Sequence, residues 1–345
     1  MEKMLGEILE QPDVLMDCAE KNEAEISNII SDIKSREIDN IIFAARGSSD
    51  NACIYGKYLA EYITGIPVSL ASPSMITVYN RKLRLERSLI IGISQSGEAR
   101  DVLSFIKHGN ECGAITVAIT NTEDSPLDKA AGYKLRLSAG VEESVAATKT
   151  FTAEMYILGL LFAALGNERE LLAKLKKVTE VIEQQLYNGS AVGEVAERYK
   201  DMKECFVLSR GVNYAIAAEA ALKLQETAYI RARAYPISDF YHGPLALADK
   251  NIPFIIFAPE GPALDKSIEI CHRLREIGCD IIIISNSPEL RSYANEYIEL
   301  PEEDCDFISP FYGAVVAQLL AAKIASLKGL DPDRPKNIRK ITVTI

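Results

Sequence analysis

Two stretches of this chain repeat each other at a fixed distance. Arg46-Gly47 recurs as Arg210-Gly211, Gly97 as Gly261 and Asp101 as Asp265, all at an offset of 164 residues. Asn121 recurs as Asn286 after one inserted residue. A register held across three strand–turn–helix units predicts two copies of one domain. Strands alternating with helices predict an α/β fold, each copy a doubly wound parallel sheet with helices on both faces. The expected boundaries are 1–190 for N-terminal helices plus the first domain, 191–330 for the second, and 331–345 for a tail. A length of 345 residues is long for one domain and comfortable for two.

The elements follow from periodicity. Residues 1–36 alternate apolar and acidic positions at helical spacing and predict one or two amphipathic helices. In the first copy, strands are expected at 38–45, 68–70, 89–93, 115–120 and 135–137, with helices at 51–64, 101–110 and 148–165. The segment 168–201 is charged and helical in pattern without a strong core stripe, and is expected to be a connector. In the second copy, strands are expected at 205–209, 254–258 and 280–285, with helices at 214–229 and 264–277. The last residues, 341–345, are expected to add an edge strand.

Ligands of such sheets sit at the carboxyl ends of the strands. There the run Leu89-Ile90-Ile91-Gly92-Ile93 stops in Ser94-Gln95-Ser96-Gly97-Glu98. The turn presents the Ser94 and Ser96 hydroxyls, the Gln95 amide and backbone N–H groups at a helix start. Donors converging on the positive end of a helix make an anion site, usually for phosphate; a plain helix cap is the alternative. The second copy has Ala258-Pro259-Glu260 at this place, without hydroxyls and with a carboxylate, so one phosphate site per chain is expected. Gly92 and Gly97 begin a Walker A pattern, but Glu98-Ala99 stand where Lys-Ser/Thr is required, which argues against nucleotide hydrolysis. No GxGxxG follows a strand, which argues against a dinucleotide. Gly92-Ile93-Ser94-Gln95-Ser96 misses the GxSxG elbow at its last position, leaving a Ser94 nucleophile with His242 as base as a minor alternative.

A net charge of −11 argues against a nucleic-acid or acidic-membrane partner. Any anionic substrate must therefore find its positive environment locally. Arg81, Lys82, Arg84 and Arg87 are expected to lie on a solvated loop. No apolar run is seen to approach the roughly 20 residues that span a bilayer. The segment Met1-Glu2-Lys3-Met4-Leu5-Gly6-Glu7 is too acidic for a signal peptide. A cytoplasmic protein with no membrane partner is expected. The seven cysteines are dispersed and form no CxxC, and several lie in apolar runs as small core residues. The three histidines, at 108, 242 and 272, are not spaced as ligands, so neither a metal nor another cofactor is expected. His108 and His272 read as surface or boundary residues.

The helix at 214–229 carries Glu219, Lys223 and Glu226 at i, i+4 and i+7, all on one face. On an exposed helix this would be a surface ion pair worth a few tenths of a kcal/mol. The rest of the helix is mostly Ala and Leu, so its charged face is expected to look into a cleft. A carboxylate there, balanced by Lys223, suits a general base. His242, followed by Gly243-Pro244, is held in a rigid turn rather than a helix and reads as functional. The basic tail, Arg334, Lys336, Arg339 and Lys340, could deliver Lys340 to a site; a loose charged tail is the alternative. Carboxylate, lysine, imidazole and a phosphate cradle match aldose–ketose isomerisation through an enediol. In that chemistry the phosphate supplies binding energy remote from the reacting carbons.

The chain resembles the sugar isomerase (SIS) domain family over nearly its whole length. The residues that carry this are Arg46-Gly47-Ser48-Ser49-Asp50-Asn51-Ala52, Ser94-Gln95-Ser96-Gly97-Glu98, Val145-Ala146-Ala147-Thr148-Lys149, Glu219-Ala220-Ala221-Leu222-Lys223 with Glu226, His242-Gly243-Pro244 and Arg334-Pro335-Lys336-Asn337. They are similar above all to the isomerase half of glucosamine-6-phosphate synthase, the isomerising glucosamine-6-phosphate deaminases and the fructosamine-phosphate deglycases. The resemblance implies flavodoxin-like domains and a sugar 6-phosphate bound by Ser94, Gln95 and Ser96 with Ser48 and the segment at Val145. It implies Glu226 as the base shuttling the C1/C2 proton, Lys223 assisting on a face shared with the substrate-binding Glu219, and Lys340 near the sugar carbonyl. It implies His242 as the ring-opening residue, reaching across a homodimer. Ala99 departs from the Thr usual in the synthases, and the Arg-Gly-Ser-Ser-Asp-Asn-Ala wording looks more like the deaminase and deglycase branch. The chain begins directly at the isomerase-like part, so glutamine-dependent amidotransfer is not expected. The expected activity is isomerisation of an amino-sugar 6-phosphate with release of ammonia or an amine. The alternatives are the isomerase part of a glucosamine-fructose-6-phosphate aminotransferase, a plain ketose–aldose phosphate isomerase, and a non-catalytic sugar-phosphate sensor, which the four chemical side chains disfavour.

Overall fold

The computed structural model of the chain describes residues 2–187 and 190–340. The expected edge strand at 341–345 lies outside the described residues. Five strands form the first sheet: β1 (Asn40–Ala44), β2 (Val68–Leu70), β3 (Ser88–Ile93), β4 (Ile115–Thr120) and β5 (Tyr133–Arg136). Five more form the second: β6 (Glu204–Ser209), β7 (Arg231–Pro236), β8 (Phe254–Phe257), β9 (Ile281–Ser285) and β10 (Glu296–Glu299). The strand orders are β2-β1-β3-β4-β5 and β10-β9-β8-β6-β7. Read from the other edge, the second order repeats the first, and every pairing is parallel. The two doubly wound domains expected from the 164-residue repeat are therefore present. Central strands such as β3 and β9 are buried along their whole length, which is why they read as unbroken apolar runs.

The chain folds into two compact units. Among the described residues, the N-terminal unit comprises 10–142, 149–179 and 338–340, and the C-terminal unit comprises those of 1–9, 143–148 and 180–337. In the N-terminal unit, the Lys149–Leu165 helix is buried over its first fifteen residues and packs on the Gln11–Ser35 and Ser48–Thr64 helices. Edge strand β5 is completed by the Asn22 side chain, which accepts from Arg136 N at 2.7 Å and donates to Arg136 O at 2.8 Å. That pairing satisfies an edge that would otherwise be an open template. In the C-terminal unit, the Ser309–Leu327 helix lies against the Tyr214–Ala228 helix, with Gly313 close to Ile216.

Several expectations need correction. Ser309–Leu327 is an apolar run long enough to cross a membrane, although none was seen in the sequence. It is apolar all round because 83% of its most apolar window is buried inside the protein. The connector does carry a core stripe: Leu171, Leu175, Val178 and Ile182 in the Arg169–Tyr187 helix are all buried, at helical spacing. His108 is buried rather than at the surface, and its Nε2 accepts from Leu83 N at 3.0 Å. Strands β7 and β10 were not expected; both are short edge strands with one buried residue each, Ala232 and Ile298, so neither presents an apolar run. Arg81, Lys82, Arg84 and Arg87 are exposed as expected. Cys18, Cys53, Cys205, Cys271 and Cys279 are buried core residues. Burial pushes the thiols of Cys18, Cys205 and Cys271 up to about 12, so they stay protonated.

Two glycines end the first and third strands of the N-terminal unit with positive φ, +61° at Gly47 and +68° at Gly97. A Cβ on Gly47 would meet nothing within 4 Å, whereas one on Gly97 would fall 2.0 Å from Ser125 Oγ. Gly47→Ala is expected to cost about 1–2 kcal/mol from the left-handed backbone alone. Gly97→Ala is expected to cost about 1–3 kcal/mol more, because Ser125 must move. Urea unfolding of the two variants side by side checks the difference; equal losses would contradict it.

Candidate active site

In each sheet the strand order reverses between the first and third strands, and the crevice at their carboxyl ends is where such folds bind ligands. In the N-terminal unit this is the junction of β1 and β3, where Ala44 stands beside Gly92. Ser48 and the Ser94-Gln95-Ser96 turn therefore leave adjacent strands at the same end. The turn is tied back to the sheet: Ser94 N donates to Ile119 O at 3.1 Å and Asn121 N donates to Gln95 O at 3.0 Å. Ser96 Oγ accepts from Glu98 N at 3.3 Å. The helices that start here, Ser48–Thr64 and Arg100–Glu111, have Gly47 and Ala99 at their N-caps and no side-chain cap. Within the first turns, Asp50 N donates to Gly47 O at 3.0 Å and Val102 N to Asp101 Oδ1 at 2.9 Å. Ser49 points inward and donates to the buried Glu154 at 2.8 Å, while Ser48 is half-buried at the mouth.

The matching crevice of the C-terminal unit, between β6 and β8, is filled by the chain itself. A Cβ on Gly261 would lie 3.2 Å from Asp306 Oδ1, and one on Gly211 would lie 3.8 Å from Oδ2. Asn213 Nδ2 donates to the same carboxyl at 3.0 Å. Burial pushes Asp306 up to about 6, partly offset by that hydrogen bond. The second crevice thus holds a carboxyl group where the first has hydroxyls.

The Tyr214–Ala228 helix gathers the charged residues that its spacing predicts. Lys223 is fully buried, with Nζ 3.3 Å from Glu219 Oε1 and 2.6 Å from Glu226 Oε2. Glu219 is also fully buried, whereas the Glu226 side chain is 21% exposed. Burial alone would lower the lysine's pKa, but the two carboxylates outweigh it and hold it above its usual value. Lys223 is therefore an ammonium, a donor and a source of positive charge rather than a base. Glu226 is the member of the group that meets solvent.

His242, in the same unit, is exposed and follows the short Ile237–Phe240 helix. Its backbone N donates to Asp239 O at 3.0 Å, and Gly243, with φ +132°, leads into Pro244. Among the described residues its imidazole makes no hydrogen bond. Val145 belongs to a segment of the C-terminal unit that is pinned throughout. The buried Glu7 carboxylate accepts the N–H groups of Glu143 and Ser144. Val145 N donates to Asp333 O at 3.2 Å, and Gln318 Nε2 donates to Thr148 O at 3.1 Å. Lys340 lies in the N-terminal unit, its Nζ 2.6 Å from Oε2 of the fully buried Glu142. Glu142 also accepts from Thr150 Oγ1 at 2.8 Å.

Within the units, the structure therefore brings together Glu219, Lys223 and Glu226, and groups Ser48 with Ser94, Gln95 and Ser96. His242 and Val145 stand apart from the charged helix face in sequence, and Lys340 is docked on Glu142. Sequence reasoning missed Glu7, Asp333, Gln318 and Glu142, which hold the candidate residues in place. Glu7 and Gln318 are polar residues among apolar neighbours, whereas Glu142 and Asp333 lie among other charged residues and carry no such signal. Among the described residues no group of three or more His, Cys, Asp or Glu side chains is arranged to hold a metal ion.

The SIS domain family matches residues 35–164 and 199–327, one match over each sheet. Over 339 residues the chain is 36% identical to a glutamine–fructose-6-phosphate aminotransferase (isomerizing) of Methanothermobacter thermautotrophicus, covering 98% of this chain and 56% of that relative. The chain thus spans little more than half the length of that relative. Among solved structures it is similar to the C-terminal domain of glucosamine-fructose-6-phosphate aminotransferase from Francisella tularensis, with TM-score 0.86, 29% identity, and 97% and 98% of the two chains covered. It shares its fold with a glucosamine-6-phosphate deaminase from Thermotoga maritima at TM-score 0.77 and 21% identity, with 99% and 100% covered.

Asp306 yields a pH prediction. Its raised pKa means that the fold favours the neutral acid. This contribution is complete below the unfolded pKa, near 3.8, and is lost as pH rises through about 6. Asp306→Asn is therefore expected to be more stable than the parent by about 1–2 kcal/mol at pH 8. The gain should fade below pH 6 and vanish near pH 4. Denaturant unfolding across this range checks it, and a gain independent of pH would contradict it.

Proposed function

The chain belongs to the SIS domain family, and from that premise we propose that it is a phosphosugar isomerase acting on an amino-sugar 6-phosphate with release of ammonia or an amine. The observation that carries this reading is the Glu219–Lys223–Glu226 group: a buried ammonium between two carboxylates, one of which meets solvent. The phosphate is assigned to the turn at Ser94, Gln95 and Ser96 with Ser48, at two helix starts without side-chain caps. In this chemistry the phosphate supplies binding energy remote from the reacting carbons.

His242 is assigned the opening of the sugar ring, in the site of a second copy of the chain in a homodimer. Its exposure and its lack of a hydrogen bond among the described residues leave it available for that role. In the open aldose form, Glu226 takes the C2 proton, and the electron pair left behind gives an enediol-type intermediate (an enaminol for an amino sugar). Glu226 returns the proton to C1. Lys223, held as an ammonium, donates toward the oxygen on which charge develops. With an amino sugar the product is a C2 imine of the ketose, and water adds to C2 to release the amine. Val145 is assigned to the substrate and Lys340 to the sugar carbonyl, whereas Glu219, fully buried, acts by balancing Lys223 rather than by touching substrate.

A second reading is the isomerising part of a glutamine–fructose-6-phosphate aminotransferase, favoured by the 36% identity to such a protein over 98% of this chain. The two readings use the same residues and differ in the fate of the nitrogen. Glucosamine 6-phosphate, fructose 6-phosphate with ammonia, and ε-fructosamine-lysine phosphate are the substrates that separate them, with ketose, aldose and amino-sugar phosphates and the released ammonia or lysine followed directly. Glu226→Gln is expected to lower turnover by roughly 10²- to 10⁴-fold while phosphosugar binding, followed by calorimetry, persists. Turnover that survives this substitution would overturn the assignment of the base. Tight binding without turnover of any of the three would favour a sensor.

A further inference from the structure

The chain carries net negative charge, so an anion turn built only from neutral donors would sit in an unfavourable field. Arg46 lies where β1 ends, and its guanidinium reaches to the first turn of the Arg100–Glu111 helix. Its Nη2 is 2.6 Å from Asp101 Oδ2, and its Nη1 donates to Ala45 O at 3.2 Å. Asp101 is 4% exposed, and its Oδ1 takes the N–H of Val102 at 2.9 Å. Arg46 thus bridges the two chain segments that bound the crevice, the one leading to Ser48 and the one following Ser94-Gln95-Ser96. Nearly half of its side chain, 46%, remains exposed.

Asp101 is a buried negative charge at the helix start that a phosphate would have to approach. Left alone it would repel a dianion. Arg46 cancels that charge, and a guanidinium has five N–H donors in a planar fork suited to phosphate. The internal repeat supplies a control. Arg210 and Asp265 occupy the same positions in the second copy, yet among the described residues they form no ion pair with each other. There Asp265 is exposed, and the crevice holds the Asp306 carboxyl group instead. The Arg–Asp pair is made only in the copy that keeps the hydroxyl turn.

We propose that Arg46 is a phosphate-binding residue, its guanidinium aimed by Asp101 so that its remaining donors reach the anion held by Ser94-Gln95-Ser96. Asp101 is a positioning residue. The identity of the anion as a sugar phosphate rests on the function proposed above; the contact between Arg46 and phosphate does not.

The test is calorimetric titration of the intact chain with inorganic phosphate, alongside steady-state kinetics with the best phosphosugar substrate. Arg46→Met keeps the side-chain stem and removes the fork. It is expected to weaken phosphate binding roughly 10- to 100-fold and to flatten its salt dependence, raising KM with kcat nearly unchanged. Arg46→Lys keeps the charge beside Asp101 but not the fork, and is expected to weaken binding severalfold even if the methionine variant fails to fold. The double variant Arg46→Met with Asp101→Asn separates contact from simple charge masking. If Arg46 touches the phosphate, binding stays weak; a return to parent affinity would overturn the proposal. Parent-like phosphate affinity in Arg46→Lys and Arg46→Met would also overturn it, as would failure of the parent to bind phosphate. Failure of the proposed function looks different: no phosphosugar turns over, while phosphate binding remains sensitive to Arg46.

Discussion

A fully buried ammonium is tolerated only where paired negative charge replaces the water it has lost, and Lys223 sets that condition for the C-terminal unit. Two carboxylates on its own helix, one turn before it and nearly one turn after, hold it charged. Because Glu219 is itself buried, only Glu226 has a solvent-facing side, so the same pairing that makes the lysine possible also selects the carboxylate open to chemistry. The helix in turn keeps its charged face fixed because Ser309–Leu327 packs along it as an apolar rod. Removing Lys223 would leave the buried Glu219 with nothing to balance it, whereas removing Glu226 leaves the lysine paired with Glu219.

The two copies show how one fold divides its labour. Both sheets have the same strand order and the same crevice at the strand ends. In the N-terminal copy hydroxyl residues follow the strand ends, and Arg46, just beyond β1, is paired with Asp101. In the C-terminal copy Gly211 and Gly261 make room for Asp306, a group that holds anions off when ionised. On the proposed function, the first copy anchors the phosphate and the first helix of the second copy carries the Glu219, Lys223 and Glu226 group.

Much of this was legible in the sequence, for physical reasons. Central parallel strands are buried on both faces, so β1, β3, β4, β6, β8 and β9 read as apolar runs, and the repeat fixed how many sheets to expect. Edge strands β7 and β10 were illegible because each is short and holds a single fully buried residue, so neither forms an apolar run. The Ser309–Leu327 helix was overlooked because an element buried on every side has no amphipathic period. Glu219, Lys223 and Glu226 were readable because their relation is local, set by helical spacing. The partners Glu142 for Lys340, Glu7 for the Val145 segment and Asp101 for Arg46 were not, since each pairing joins residues far apart in the chain. Arg46 and Asp101 were both visible as repeat markers, but nothing in their spacing tells that they meet in one copy and not in the other.

The central claim is that the chain moves a proton between adjacent carbons of a phosphorylated sugar. Glucosamine 6-phosphate carrying deuterium at C2 tests it most directly, with the fate of the label followed by NMR. Isomerisation predicts that the label leaves C2 and appears at C1 of the ketose 6-phosphate and in water, at a rate set by the protein concentration. Label that stays at C2 while the sugar phosphate is bound would contradict the account.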